Sequence, residues 1–108
     1  MEETQFAVVP GVNSLSDIDY ELAKVISHTV PVIDRLRGLA GSNPLARRVL
    51  MALTNTVGNL LGAAAYLHDH PEDEGHRFLF HSMRDQALRI ISRARTNLLG
   101  GHEQKPGA

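Results

Sequence analysis

The chain has 108 residues, of which 43% are hydrophobic and 21% charged, and its formal net charge is −1. That length suffices for one domain with a hydrophobic core, and the near balance of charge gives no general reason to expect a nucleic-acid or membrane-surface binder. The absence of cysteine excludes disulfides, thiolate nucleophiles and zinc sites with cysteine ligands.

Residues 1–13 are predicted to form an N-terminal arm. Its first residues, MEETQ, lack the basic and apolar run of a secretory signal, so we expect a cytoplasmic protein. The next segment, QFAVVPGV, is apolar and ends in Pro-Gly, which is a turn signal. One strand cannot form a sheet alone, so we expect the arm to be extended and to pack on helices or on another chain.

A first helix is predicted from Ser14, because Ser14 and Asp17 have the spacing of a capping box. Pro31 lies inside it and should remove a hydrogen bond and kink it, yet the apolar register continues, so we expect one bent helix. The amphipathic stripe consists of Leu15, Ile18, Leu22, Val25, Thr29, Val32, Leu36 and Leu39.

A second helix is predicted after GSNP, with Ser42 or Asn43 as its N-cap and Pro44 in its first turn. Residues 49–68 carry no formal charge, and this uncharged stretch is long enough to raise the possibility of a membrane span. Because polar amides interrupt this stretch, we expect a buried helix of a soluble protein and no membrane association. Its core face consists of Ala46, Leu50, Leu53, Val57, Leu60, Ala64 and Leu67.

The opposite face of the second helix is also uncharged. A solvated helix face normally carries Lys, Glu or Arg, and each interior glycine costs about 1 kcal/mol relative to alanine. Either this helix packs against neighbours on two sides, or the second face is a subunit or partner interface. The residues of this face are Met51, Asn55, Gly58, Asn59, Gly62 and Tyr66.

A third helix is predicted to begin between Pro71 and Glu74, where acidic residues suit the positive end of the helix dipole, and to stop at Gly100. Residues 101–108 are expected to be a disordered tail. The chain is therefore predicted to be all-α, with a single domain over residues 14–100 that forms an antiparallel bundle of three long helices. The core stripe of the third helix consists of Leu79, Phe80, Met83, Ala87, Ile90, Ile91, Ala94 and Leu98.

Phe78 points away from that core stripe on a helical wheel, on the same side as Arg89. An exposed aromatic residue is a typical anchor of a protein interface, and arginine is enriched at such sites. Phe78 and Arg89 are therefore a second candidate contact for a partner or for a second copy of the chain.

The turn between the second and third helices, Tyr66 to His81, holds four of the six histidines and four of the twelve acidic residues. These are metal-ligand types, but His76 and His81 are five residues apart and no His-Glu-x-x-His pattern is present. We expect a charged, pH-sensitive turn without a metal or cofactor, and a metal-binding module remains the third hypothesis.

Catalytic motifs are missing from the sequence. No serine lies in a nucleophile-elbow motif and no glycine-rich segment matches a phosphate-binding loop, so we expect a protein that is not an enzyme. The second hypothesis for the function is a small DNA-associated helical protein, in which the basic residues of the third helix contact phosphates. Those residues are Arg77, Arg84, Arg89, Arg93 and Arg95.

A resemblance to known proteins rests on five residues at the start of the chain, Phe6, Val8, Pro10, Gly11 and Val12. Followed by two helices, this F-x-V-x-P-G-V pattern resembles small pseudomonad proteins over the first two-thirds of the chain, whereas the charge-rich third helix departs from them. In size and helical content the chain also resembles quorum-sensing antiactivators. That resemblance implies a cytoplasmic homodimer that binds the ligand-binding domain of a LuxR-type transcriptional regulator and blocks its dimerisation and DNA binding.

Overall fold

Three long helices and no strands make up the part of the chain that the structure describes. The structure is a computed structural model that describes the backbone of residues 10–100 and the side chains of residues 15–100. The helices are α1 (Pro10–Ala40), α2 (Pro44–Asp69) and α3 (Glu74–Asn97). The all-α prediction is confirmed, while residues 1–9 of the predicted arm and the predicted tail, 101–108, lie outside the described residues.

Polar contacts between the helices establish their relative directions. His68 Nε2 at the end of α2 lies 2.8 Å from Asp19 Oδ1 near the start of α1, so these helices are antiparallel. Arg35 Nη2, in the second half of α1, donates to the Leu99 carbonyl just after α3 at 2.8 Å. Because an ion pair also joins the first halves of α1 and α3, these two helices run in the same direction.

Helix α1 begins at Pro10, four residues before the predicted start at Ser14, so residues 10–13 of the predicted arm are helical. Proline suits the first turn of a helix because its missing N–H would have no partner there. Ser14 therefore lies inside the helix and does not begin it. The prediction of one helix through Pro31 is confirmed, since α1 continues to Ala40 without a break.

Helix α2 begins as predicted from the sequence. The Asn43 side chain accepts hydrogen bonds from the backbone N–H groups of Leu45 and Ala46, at 3.0 and 3.1 Å, and Pro44 follows in the first turn. These bonds satisfy two of the donors that a helix start leaves without intrahelical partners. The cap therefore stabilises the sharp connection from α1.

Helix α3 is capped at its start by Asp73, whose Oδ1 accepts from the His76 backbone N–H at 3.0 Å. Its last residue is Asn97, and Leu98 is the C-cap. Gly100 follows with φ 72°, a left-handed conformation that glycine adopts without a steric penalty. The predicted stop at Gly100 thus has a conformational basis, although the helix itself ends three residues earlier.

The core lies between all three helices and follows the predicted stripes. Phe80 is the largest side chain that is fully buried, and Leu79 beside it is 41% exposed, so its assignment to the core was wrong. Each large apolar side chain that is fully buried contributes about 1.5–3 kcal/mol relative to an exposed one. The fully buried large residues are Phe80, Ile18, Leu36, Leu53, Leu60, Leu67 and Val25.

Helix α2 is the central helix of the bundle. It contacts both α1 and α3 more extensively than those two contact each other. This arrangement leaves α2 with a side that faces neither neighbour, and it leaves an open cleft between α1 and α3.

Candidate interaction surface on the second helix

Helix α2 divides into a buried and an exposed side. Its buried residues recur at helical spacing, which matches the face predicted to be the core. They include the fully buried Leu53, Leu60 and Leu67, at intervals of seven residues. The buried set is Ala46, Leu53, Thr56, Val57, Leu60, Ala63, Ala64 and Leu67.

The predicted second face of α2 lies on the exposed side of the helix, and we call it the α2 outer face. Met51 is 61% exposed and Tyr66 36% exposed, and the four residues between them in this set are also exposed. The fifteen residue steps from Met51 to Tyr66 span about 22 Å along the helix. Because neither α1 nor α3 covers these residues, contacts with two neighbouring helices do not explain why the face is uncharged. The α2 outer face consists of Met51, Asn55, Gly58, Asn59, Gly62 and Tyr66.

The two glycines of the α2 outer face have open space beside them. A Cβ atom added to Gly58 or Gly62 would meet nothing within 4 Å. No neighbouring element in the described part of the chain therefore requires glycine there, although each glycine costs about 1 kcal/mol relative to alanine. Their effect is to leave the helix backbone accessible, so that another chain can approach closely.

Two leucines extend the apolar surface that the sequence patterns indicated. Leu61 is 46% exposed and Leu45 is 51% exposed. Neither residue fits the core stripe or the opposite face on the helical wheel, so the periodicity assigned them no role. For Leu61 the signal in the sequence was the absence of any charged residue between Val49 and His68, whereas Leu45 lies before that run and had no such signal.

Tyr66, at the end of the α2 outer face, is held by the turn that follows. Its ring stacks on His76 with centroids 3.8 Å apart and on His70 with centroids 4.3 Å apart. His76 Nδ1 also lies 3.2 Å from Asp73 Oδ2. Tyr66 therefore has a fixed orientation and offers a partner only part of its ring.

The turn also shifts the titration of its own groups. The backbone N–H of His76, with smaller contributions from the His76 charge and from His76 and Tyr66 hydrogen bonds, lowers the pKa of Asp73 below 3.8. Partial burial and the negative charges of Asp73 and Glu72 raise the pKa of Tyr66 above 10.0. At neutral pH the turn therefore combines an ionised Asp73 with a neutral Tyr66.

The structure does not bring the histidines of this region together as a set of metal ligands among the described residues. Within residues 15–100, no group of three or more His, Asp or Glu side chains is arranged to hold a metal ion. His81 instead lies 3.0 Å from Arg84 Nη1. Burial, together with the charges of Arg84 and Arg77, lowers the pKa of His81, which favours its neutral form.

Phe78 and Arg89 lie on the exposed side of α3, as the helical wheel indicated. Phe78 is 74% exposed and Arg89 is also exposed. They are eleven positions apart, which corresponds to about three turns, or ~16 Å along the helix. The pair shares a side of α3 but does not form one compact contact.

The arginines of α3 do not act as one basic surface. Arg77 donates to the Pro71 carbonyl, and Arg84 pairs with Asp85 at 2.9 Å. Arg93 lines a groove against α2, and Arg95 lines the cleft against α1. This distribution gives little support to the DNA-associated hypothesis, which needs several cations along one side of the helix.

Helix α2 is long and apolar enough to cross a membrane by length and composition alone. Only 33% of its most apolar stretch is buried inside the protein. The other two-thirds of that stretch is not buried and includes the α2 outer face.

Comparison with protein-family models, curated proteins and solved structures finds no match to the chain.

Proposed function

We propose that this protein is a regulator that acts by binding another protein, and that the α2 outer face packs against a helix of that partner. The observation that supports this proposal is the uncharged run of residues 49–68, which stays exposed along one side of a central helix. Helix faces that remain in water normally carry charged residues. A partner that covers this face would bury apolar surface without leaving a charge unpaired.

The composition of the α2 outer face suits helix packing. Gly58 and Gly62 let a second backbone approach closely, and Met51 is an unbranched side chain that adapts to an irregular surface. Asn55 and Asn59 can donate and accept hydrogen bonds at the same contact. None of these groups needs to titrate or react, so the proposed action is occlusion of a partner surface and not catalysis.

The resemblance to quorum-sensing antiactivators extends the proposal to a partner class. In this extension the partner is the ligand-binding domain of a LuxR-type transcriptional regulator. Covering the helix through which the regulator dimerises would prevent its dimerisation and hence its DNA binding. In such a competition, each 1.4 kcal/mol of binding free energy changes the ratio of the two complexes about tenfold.

The proposal includes a homodimer that leaves the α2 outer face accessible. We assign the contact between copies to the exposed side of α3, where Phe78 is 74% exposed and Leu79 41% exposed. Aromatic residues are enriched among the anchors of protein interfaces. Each subunit of such a dimer would present its own α2 to a regulator.

A matched pair of glycine variants tests the partner surface. Gly62→Glu places a charge on the α2 outer face, whereas Gly38→Glu makes the same change on α1, where a Cβ also meets nothing within 4 Å. Both changes favour helix over glycine, so neither should unfold the protein. We expect Gly62→Glu to weaken binding to a purified LuxR-type ligand-binding domain at least tenfold in titration calorimetry, and Gly38→Glu to bind like the wild type.

Light scattering of the same variants, together with Phe78→Ser, separates self-association from partner binding. We expect Phe78→Ser to halve the mass of the isolated protein and Gly62→Glu to leave it unchanged. If Gly62→Glu leaves both mass and binding intact, the α2 outer face is not an interface. If the wild type binds no LuxR-type domain but Gly62→Glu lowers its mass, the partner class is wrong and the face joins two copies.

A further inference from the structure

The cleft between α1 and α3 lies apart from the α2 outer face and is lined by residues of those two helices only. Its volume is about 210 Å³. Leu88 and Ile91 supply apolar contacts, while His28, Ser92, Arg95 and Thr96 supply polar groups. Because no residue of α2 contributes, a ligand in this cleft would not compete with a partner on α2.

The polar groups of the cleft have no partners within the part of the chain that the structure describes. The side chain of Arg95 forms no hydrogen bond or ion pair there, and neither do the side chains of His28, Ser92 and Thr96. Other helical hydroxyls of this protein bond to their own backbone: Thr29 Oγ1 donates to the Val25 carbonyl at 2.7 Å. The hydroxyls of Ser92 and Thr96 are therefore available to donate to a ligand.

The sequence around the cleft contains no negative charge. Residues 22–33 of α1 include no Asp or Glu, and residues 86–100, which contain the cleft residues of α3, include none either. Ser92 and Thr96 are one turn apart, so they lie on one side of α3. The cleft thus combines a guanidinium, two hydroxyls and an imidazole with an apolar wall.

We propose that this cleft binds a small organic anion, whose carboxylate or phosphate group contacts Arg95, Ser92 and Thr96 and whose apolar part packs on Leu88 and Ile91. Arginine presents a planar set of donors that matches both kinds of anion. The proposal does not depend on the function proposed above, because it concerns a different surface and a different class of ligand.

Amide NMR titrations with benzoate and with phenyl phosphate test this site, with benzyl alcohol as the uncharged probe. We expect saturable shifts for residues near His28 and for Leu88 to Thr96 with at least one anion, and none with the alcohol. Tighter binding of phenyl phosphate assigns a phosphate ester, and tighter binding of benzoate assigns a carboxylate. Inorganic phosphate should bind more weakly than phenyl phosphate because it lacks an apolar part.

Two arginine variants distinguish a site from general attraction to positive charge. Arg95→Gln should weaken binding of the preferred anion about tenfold or more, since it removes charge-assisted hydrogen bonds. Arg89→Gln makes the same charge change on an exposed part of α3 outside the cleft and should leave binding unchanged. Equal weakening in both variants, or no saturable shift of cleft residues with either anion, would overturn the proposal. Unchanged amide dispersion of Arg95→Gln without ligand confirms that the variant is folded.

Discussion

At the scale of single residues, Asp73 has two roles in the turn between α2 and α3. Its side chain caps α3 through the His76 backbone N–H, and it also contacts the His76 ring. Acidic residues at a helix start are stabilising in their ionised form because the backbone N–H groups there are positive. The charge of the Asp73 carboxylate therefore helps to stabilise the turn.

Acid should destabilise the protein through Asp73. Since the pKa of Asp73 is lower in the folded protein than its ordinary 3.8, its contribution to stability is present above that value and is lost as pH falls through the lowered pKa. Asp73→Asn keeps a capping side chain but removes the charge. We expect the difference in unfolding free energy between wild type and Asp73→Asn, measured by urea denaturation, to shrink as pH falls from about 5 to about 2. A difference that does not vary with pH would show that the charge adds nothing to the cap.

Residue patterns predicted the candidate surface but not all of its surroundings. The exposure of Met51, Gly62 and Phe78 follows from the helical wheel, because helical periodicity alone determines which side of a helix a residue occupies. The stack of Tyr66 on His76 does not follow from it, because it depends on how the turn brings the start of α3 back to the end of α2. Contacts across a turn require tertiary geometry that periodicity does not contain.

At the scale of the helices, the predictions were most accurate where a residue pattern is typical of a single local structure. Ser42 or Asn43 before Pro44 predicted the start of α2, because a capping residue followed by proline is typical of a helix start, and Asn43 is the cap. Pro10-Gly11 is compatible with two local structures, since proline occurs at the start of both turns and helices. Because we interpreted it as a turn, the start of α1 was predicted too late. The apolar stripes predicted the core correctly except at positions such as Leu79, on the border of the stripe.

Pro31 offers a test of strain within α1. It lies exposed in a continuous helix, where it cannot donate to the Ser27 carbonyl and where its ring crowds the preceding turn. We expect Pro31→Ala to raise the free energy of unfolding by about 1–3 kcal/mol in urea denaturation.

Val30→Ala is the matched control for Pro31→Ala, because Val30 is a neighbouring residue of α1 that is 53% exposed. It should change stability by no more than about 0.7 kcal/mol. A loss of stability in Pro31→Ala would contradict the expectation and would mean that α1 needs the shape that proline imposes in order to pack on both α2 and α3.

At the scale of the whole molecule, the central position of α2 explains why two different surfaces can coexist. Helices α1 and α3 both pack on α2 but do not cover its outer side. Because α1 and α3 contact each other less extensively, a cleft remains between them. The cleft joins residues more than sixty positions apart, such as His28 and Ser92, so no local sequence pattern could have predicted it. The two surfaces lie on different sides of one core, which allows separate variants to test them.

The glycines of the α2 outer face should stabilise association at the expense of the isolated fold. Replacing Gly58 and Gly62 together by alanine should raise the free energy of unfolding by up to about 1 kcal/mol per site, because both positions are open and helical. The added methyl groups should hold a partner backbone further away and weaken its binding about tenfold, or 1.4 kcal/mol. Gly38→Ala, on α1 in equally open space, should raise stability alone. Urea denaturation and titration calorimetry on the same preparations measure both quantities, and a double variant that gains stability without losing affinity would exclude close backbone contact at this face.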